Sequence, residues 1–312
     1  MNRRWWAGAR LALSAAVLGL LVWRVGAGPF LDGIRSVDGR ALAVGAAVTV
    51  PVTVCCAWRW RAVARGLGVE LSLPAAISSY YRSQFLNSTL PGGVVGDVHR
   101  AVRHGRRVED TGRALRAVAW ERFAGQVVQV VLALAVLILL PSPVGARTPL
   151  LLGAAGAAVG VAVVLRVRRG RVPTGESRWA RALRGAQSDL RDGLLARGVW
   201  PAVAAGSAVA VAGHVATFLV AARTAGVTAS PVLILPLALL VLLAMGLPAN
   251  VAGWGPREGA AAWAFGAAGL GAGRGLATAV VYGVIVFAAS LPGAVVLVVA
   301  WLPARARGAS RG

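Results

Sequence analysis

Arginine-bearing loops cut this chain into apolar segments, several of them long enough to cross a bilayer. Segments near 11–30, 41–58, 117–140, 150–166, 199–222 and 276–302 approach the roughly 20 residues that a spanning helix needs. Inside hydrocarbon each backbone N–H and C=O must find a partner within the protein, so runs of this length are read as helices. Two weaker regions, 71–98 and 231–272, bring the number of apolar segments to eight. The mean hydropathy is +0.70. Hydrophobic residues make up 57% of the chain and charged residues 14%. No stretch reads as a soluble domain. The expected fold is an all-α polytopic membrane protein, a single integral membrane domain over residues 1–312.

The net charge of +22 raises nucleic acid as a partner. The placement of the charge excludes it. All 33 basic residues are arginine, and they gather in the loops between apolar runs, where the positive-inside bias concentrates them. There they also attract anionic headgroups, at roughly 1 kcal/mol per residue near the surface. Cys55 and Cys56 are adjacent within an apolar run and give neither a disulfide framework nor metal spacing. No metal or other cofactor is expected. Tryptophans near segment ends, including Trp23, Trp58, Trp60, Trp200 and Trp301, read as interfacial anchors. The N-terminus resembles a signal sequence, with Val25-Gly26-Ala27 as a cleavage site. An uncleaved first helix is the better reading, because further spans follow.

Arginine placement also gives orientation. Arg3, Arg4 and Arg10 put the N-terminus in the cytoplasm, and Arg305, Arg307 and Arg311 put the C-terminus there. Arg59, Arg61 and Arg65 put the end of segment 41–58 inside. Arg100, Arg103, Arg106 and Arg107 return region 71–98 to the same side. That region is too short for two full spans and is expected to form a re-entrant hairpin. The loop 166–198, with nine arginines from Arg166 to Arg197, is cytoplasmic and separates two halves.

A short pattern recurs across those halves. Leu90-Pro91-Gly92-Gly93-Val94-Val95-Gly96-Asp97-Val98-His99-Arg100 aligns with Leu247-Pro248-Ala249-Asn250-Val251-Ala252-Gly253-Trp254-Gly255-Pro256-Arg257, at an offset of 157 residues. This offset pairs 41–58 with 199–222 and 117–140 with 276–302, and the paired segments have opposite inferred directions. The reading is therefore an inverted-topology repeat, with halves at about 41–140 and 199–302. It contains about 6 full spans and two re-entrant, broken-helix hairpins. The run 231–249 is long enough for a full span, which would give eight spans.

Paired helix breaks of this kind point to a binding site. Arg82, Gln84 and Asn87 belong to a stretch too polar for lipid exposure, which suits the wall of a hydrated cavity. Pro91, Gly92 and Gly93 end a helix. One restarting near Val94 would present bare N–H groups to an anion. Arg100 would add a fork for phosphate, and Asp97 would orient it or take a proton. In the second copy Pro248 and Asn250 mark the break, and Arg257-Glu258 form a charge pair among apolar segments. Glu121 and Arg122 open segment 117–140, where they pair with the motif groups or with each other. His214 stands alone in segment 199–222. A neutral histidine satisfied by a backbone carbonyl is the simpler reading of it.

The motif Asn87 through Arg100, the Glu121-Arg122 pair and Leu247 through Glu258 resemble the membrane domain of lysylphosphatidylglycerol synthases. The second motif departs from the pattern at Ala249-Asn250 and at Trp254. In those synthases the flippase-like domain moves aminoacylated phosphatidylglycerol between leaflets, and a soluble domain makes that lipid. Only nine residues follow Pro303 here, so the resemblance implies a stand-alone membrane member. It would translocate an anionic phospholipid or a polyprenyl-linked lipid in a prokaryotic plasma membrane and would not be an enzyme. Arg82, Arg100 and Arg257 would engage phosphate, while Asp97, Glu121 and Glu258 balance charge. Membrane lipids with anionic headgroups are the expected partners. A second copy of the chain or an envelope-biosynthesis protein is compatible with the sequence.

Two alternatives stand beside this reading. An integral transferase acting on lipid headgroups needs a general base, for which His99 beside Asp97 and Arg100 is the candidate. A non-transporting envelope scaffold needs none of the buried charges.

Overall fold

Asp38, Ser72, Asp110, Ser177 and Ser230 each stand directly before a helix. Oxygen-bearing side chains in this position satisfy free N–H groups of the first turn. Asp38 accepts from Ala41 N at 2.7 Å, and Asp110 accepts from Arg113 N at 2.8 Å. The computed structural model describes residues 16, 19–90, 93–140, 177–246 and 254–309. Its helices are α1 (Gly28–Arg35), α2 (Gly39–Gly66), α3 (Leu73–Thr89), α4 (Val95–Arg107), α5 (Thr111–Leu139), α6 (Arg178–Ser188), α7 (Trp200–Thr224), α8 (Pro231–Met245), α9 (Pro256–Ala267), α10 (Ala272–Ser290) and α11 (Pro292–Ala309). A π-helical turn, Asp189–Leu194, follows α6.

Among the described residues, four stretches are long and apolar enough to cross a membrane: α2, α5, α7, and α10 continued by α11 as far as Ala300. They carry four of the six full spans expected from the sequence. The protein is an all-α polytopic membrane protein. Segment 150–166 lies outside the described residues, as do residues 11–15, 17 and 18 of the first segment and the start of the arginine-rich loop. The described end of the first segment is helical over 19–25 and breaks at Gly26, where φ is 87°.

The two weaker regions form helix–break–helix hairpins, α3–α4 and α8–α9. Helix α3 ends at Thr89 and α4 begins at Val95; α8 ends at Met245 and α9 begins at Pro256. Both motifs fall between these helix ends, and Pro91, Gly92, Pro248 and Asn250 are outside the described residues. The 15 residues of α8 reach roughly 22 Å at 1.5 Å per residue. That is short of the roughly 30 Å hydrocarbon core, so α8 does not cross alone.

Packing repeats with the sequence offset. In the first half α2 packs on α3, α3 on α4, α4 on α5, and α2 on α5; in the second, α7 packs on α8, α8 on α9, α9 on α10, and α7 on α10. Between the halves α2 and α7 pack on each other, α5 packs on α7 as α10 packs on α2, and α8 packs on α5 as α11 packs on α3. Small residues permit the central contact. Gly206 lies against the Cys55 carbonyl, and Gly213 farther along α7 faces Val52. Rising numbers in α7 meet falling numbers in α2, so these matched helices run antiparallel. An inverted repeat requires that relation.

Among the described residues apolar burial forms two clusters, each centred on one half and each taking in helices of the other: Ala41 and Ala133 join the second, Val203 and Ala210 the first. Trp60, Ala64, Ala101 and Ala117 belong to the first, and Phe218, Leu237, Phe265 and Tyr282 to the second. The charged groups collect between them and the two hairpin breaks.

Candidate functional site

The first hairpin is pinned by its own polar side chains. Asn87 near the end of α3 accepts from Gly96 N at 2.8 Å and donates to Asp97 Oδ2 at 3.0 Å. Ser83, one turn earlier, donates to Asp97 Oδ1 at 3.1 Å. Gly96 sits directly on the Ser83 backbone. The helix restart expected near Val94 is present, but Asn87 already occupies one of its first N–H groups. That end is partly satisfied by protein before any anion arrives.

Behind the hairpin is a buried network of charges. Arg100 Nε donates to Asp97 Oδ1 at 3.0 Å, and its Nη2 donates to Glu121 Oε2 at 2.6 Å. Its guanidinium lies 4.6 Å from the ring centroids of both Trp60 and Tyr80, within cation–π range. Glu121 Oε1 accepts Arg59 Nε at 2.9 Å, and Arg59 Nη1 donates to Ser207 Oγ at 2.8 Å. Asp97 Oδ2 also accepts from Arg122 Nη2. Glu121 and Arg122 thus both pair with motif groups, not with each other. Three guanidiniums against two carboxylates leave one positive charge in excess.

Burial separates these arginines. The Arg100 side chain is 0% exposed, whereas that of Arg122 is 49% exposed with Asp97 as its carboxylate. Arg122 lines a cavity of about 480 Å³, and Arg100 is not among the lining residues. The wall contributed by the first hairpin includes Gln84, Asn87, Ser88 and Gly93, and that of the second includes Met245, Trp254, Pro256 and Arg257. One cavity is therefore shared by both broken hairpins.

On the second wall Arg257 donates twice to Glu258 Oε1, at 2.8 and 2.6 Å, and Glu258 Oε2 accepts from Gly255 N at 2.7 Å. Arg257 lies 5.0 Å from the Trp254 ring and 5.7 Å from Tyr282. Gly283 leaves the space that the guanidinium fills. His214 lines the cavity, and its Nδ1 is 2.9 Å from the Tyr282 hydroxyl. Its partner is thus a side chain, where the sequence suggested a backbone carbonyl.

Of the other residues singled out from sequence, Arg82 is buried on α3 and donates to Ser79 Oγ at 2.9 Å. It does not line the cavity. Asp97 is partnered by Ser83, Asn87, Arg100 and Arg122, so His99 does not form the pair that a transferase base would use. Both cysteines are free, and the described residues hold no metal-binding group of His, Cys, Asp and Glu.

Sequence reasoning missed Arg59 and Trp60 as part of this network. Arg59 was read only as an orientation marker and Trp60 as an interfacial anchor. Both are buried, Arg59 against Glu121 and Trp60 against Arg100. The available signal was their place inside an apolar helix, ahead of Arg61 and Arg65. Ser207, Tyr80 and Tyr282 carried no comparable signal.

The family model described as lysylphosphatidylglycerol synthase TM region matches residues 8–293, and the chain belongs to that family. No curated protein and no solved structure matches the chain.

Proposed function

From that membership we propose that the protein translocates an anionic lipid, a phospholipid or a polyprenyl-linked lipid, between the leaflets of a prokaryotic plasma membrane. Both termini are cytoplasmic in this reading. The supporting observation is the single cavity between the two hairpins, with Arg122 on one wall and Arg257 on the other. A phosphate moved through hydrocarbon without a counter-charge meets a large desolvation cost. Two cations at one site offset that cost along the path. The cavity of about 480 Å³ is within the range of small-molecule sites and suits a headgroup, while the acyl tails stay in lipid.

The mechanism is an exchange of anions. In the lipid-free site each cation holds a carboxylate: Arg122 holds Asp97 and Arg257 holds Glu258. An entering phosphate takes the open fork of Arg122, and Asp97 falls back on Arg100, Ser83 and Asn87. The Arg–Asp contact then re-forms as the lipid leaves. The cavity is thus electrostatically satisfied with or without substrate, and neither state is trapped. No covalent step is involved, so purified protein in detergent should form no new lipid product.

Reconstitution tests the proposal. Liposomes carrying a fluorescent phosphatidylglycerol in both leaflets are treated with an impermeant quencher. Translocation exposes the inner-leaflet pool and deepens quenching. Wild-type protein should do so, and Arg122→Gln should slow the rate tenfold or more. Equal rates in protein-free and protein-containing liposomes, across phosphatidylglycerol and polyprenyl phosphate probes, would refute transport.

A further inference from the structure

We propose a second anion site on the first hairpin, outside the central cavity, that holds the phosphate of a lipid headgroup with Arg82, His99 and Arg103 and has Arg107 at its rim. Arg82 projects from α3, and the other three residues follow along α4, which Ser83–Asp97 and Asn87–Gly96 clamp against α3. The residues grade from inside to outside. Arg82 is 4% exposed, His99 and Arg103 are half-buried, and Arg107 is exposed.

Two observations point to a ligand. Arg82 Nε and His99 Nδ1 are buried with no hydrogen-bond partner. Buried donors and acceptors are normally satisfied, because an orphaned one has given up its water and gained nothing in return. In addition, none of the ion pairs formed among the described residues involves Arg82, Arg103 or Arg107. Burial, and then repulsion from Arg103 and Arg107, disfavours the charged form of Arg82; burial, and then Arg82 and Arg103, does the same for His99. A single phosphate would relieve the repulsion and pair the orphaned Nε.

The fold does not require charge at these places. At the 157-residue offset Arg82, Arg103 and Arg107 correspond to Leu239, Ala260 and Ala264. Leu239 and Ala264 are buried in the apolar cluster of the second half, and Ala260 packs against it. The same scaffold position is filled by hydrocarbon in one half and by unpaired cations in the other. The cations also sit on the arginine-rich side of the hairpin, where anionic headgroups concentrate.

Binding tests this without reference to transport, and an Arg122→Gln background in every titration weakens lipid held at the central cavity, so the second site stands or falls separately from the proposed function. The purified full chain in a zwitterionic detergent is heated with increasing dioleoyl phosphatidylglycerol, or with inorganic phosphate, and the Tm is followed. Phosphatidylglycerol should raise the Tm of the Arg122→Gln protein. Arg82→Gln and Arg103→Gln should each need tenfold to hundredfold more lipid for the same shift, the loss expected for one charge-assisted contact. Arg106→Gln removes an equal charge from the exposed side of α4 and should titrate like the Arg122→Gln protein alone. If Arg82→Gln fails to fold, the half-buried Arg103→Gln still decides the matter. A shift produced by inorganic phosphate and lost in Arg103→Gln, with none from lipid, reassigns the site to free phosphate and overturns the lipid assignment. Indistinguishable titrations of Arg103→Gln and Arg106→Gln would mean that no such site exists.

Discussion

Arg100 and Arg257, at matching positions of the two motifs, each lie between two aromatic rings and each are held by a carboxylate. Trp60, Tyr80 and Glu121 enclose Arg100, and Trp254, Tyr282 and Glu258 enclose Arg257. The rings come from unmatched places: Trp60 from α2 and Tyr80 from α3, Trp254 from the loop before α9 and Tyr282 from α10. The arginine position repeats and its enclosure does not. Only Arg257 lines the cavity. The equivalent arginines therefore have different expected consequences.

Arg100→Gln should behave as a stability variant. Removing this buried guanidinium leaves Glu121 and Asp97 short of a partner within the protein. Breaking a buried pair on one side costs about 3–5 kcal/mol. We expect a large fall in Tm and loss of monodisperse protein in detergent. Normal thermal stability with defective transport would instead show Arg100 acting as a free ligand, the role its place in the motif suggests.

Arg122→Gln should separate transport from folding. Its side chain is half-exposed, and Asp97 retains Arg100, Ser83 and Asn87 when Arg122 is gone. Loss of one charge-assisted phosphate contact is worth about 1.5–3 kcal/mol, a tenfold to hundredfold effect. Lysine at this position should restore only part of the rate, because an ammonium lacks the guanidinium fork. Full rescue by Arg122→Lys would show that charge alone matters there.

The sequence made the helices and their breaks legible because hydropathy is additive along the chain. Segments 41–58, 117–140, 199–222 and 276–302 needed only local composition, and the two hairpins needed only Pro, Gly and the recurring motif. The Glu121-Arg122 pair was also visible, since two charges opening an apolar run stand out. What each pairs with was not. Glu121 meets Arg59 and Arg100 across 62 and 21 residues of sequence, and no local pattern encodes such a contact. Burial was the harder quantity. Arg59 and Arg61 are two residues apart in one helix, and only their different faces make the first a buried ion-pair partner of Glu121.

Orientation is open to direct labelling. The arginine distribution puts α4 and its C-terminal end on the cytoplasmic side and the α7–α8 connection outside. In a protein with Cys55 and Cys56 replaced, single cysteines at exposed positions report sidedness. Thr228→Cys and Arg274→Cys should react with an impermeant maleimide added to intact cells, and Arg106→Cys should react only after lysis; all three positions are exposed. The reverse pattern would invert the protein in the membrane and turn the proposed second anion site toward the outer leaflet.

Two glycines give opposite expectations, because what faces each one differs in its freedom to move. An added Cβ at Gly96 would meet backbone atoms of Ser83, with the carbonyl carbon and Cα both at 2.7 Å. Neither can yield without opening the hairpin, so Gly96→Ala should cost about 1–3 kcal/mol and lower the Tm. The nearest atoms to an added Cβ at Gly283 belong to the guanidinium of Arg257, the far end of a flexible side chain. Gly283→Ala should leave the Tm nearly unchanged while displacing Arg257 from its place over Tyr282 and into the cavity. A displacement on the order of 1 Å can cost up to about a hundredfold in a step that depends on geometry. Transport should then fall in Gly283→Ala without loss of fold. If Gly283→Ala transports at the wild-type rate, the position of Arg257 does not govern movement of the lipid, and the second wall of the cavity is only structural.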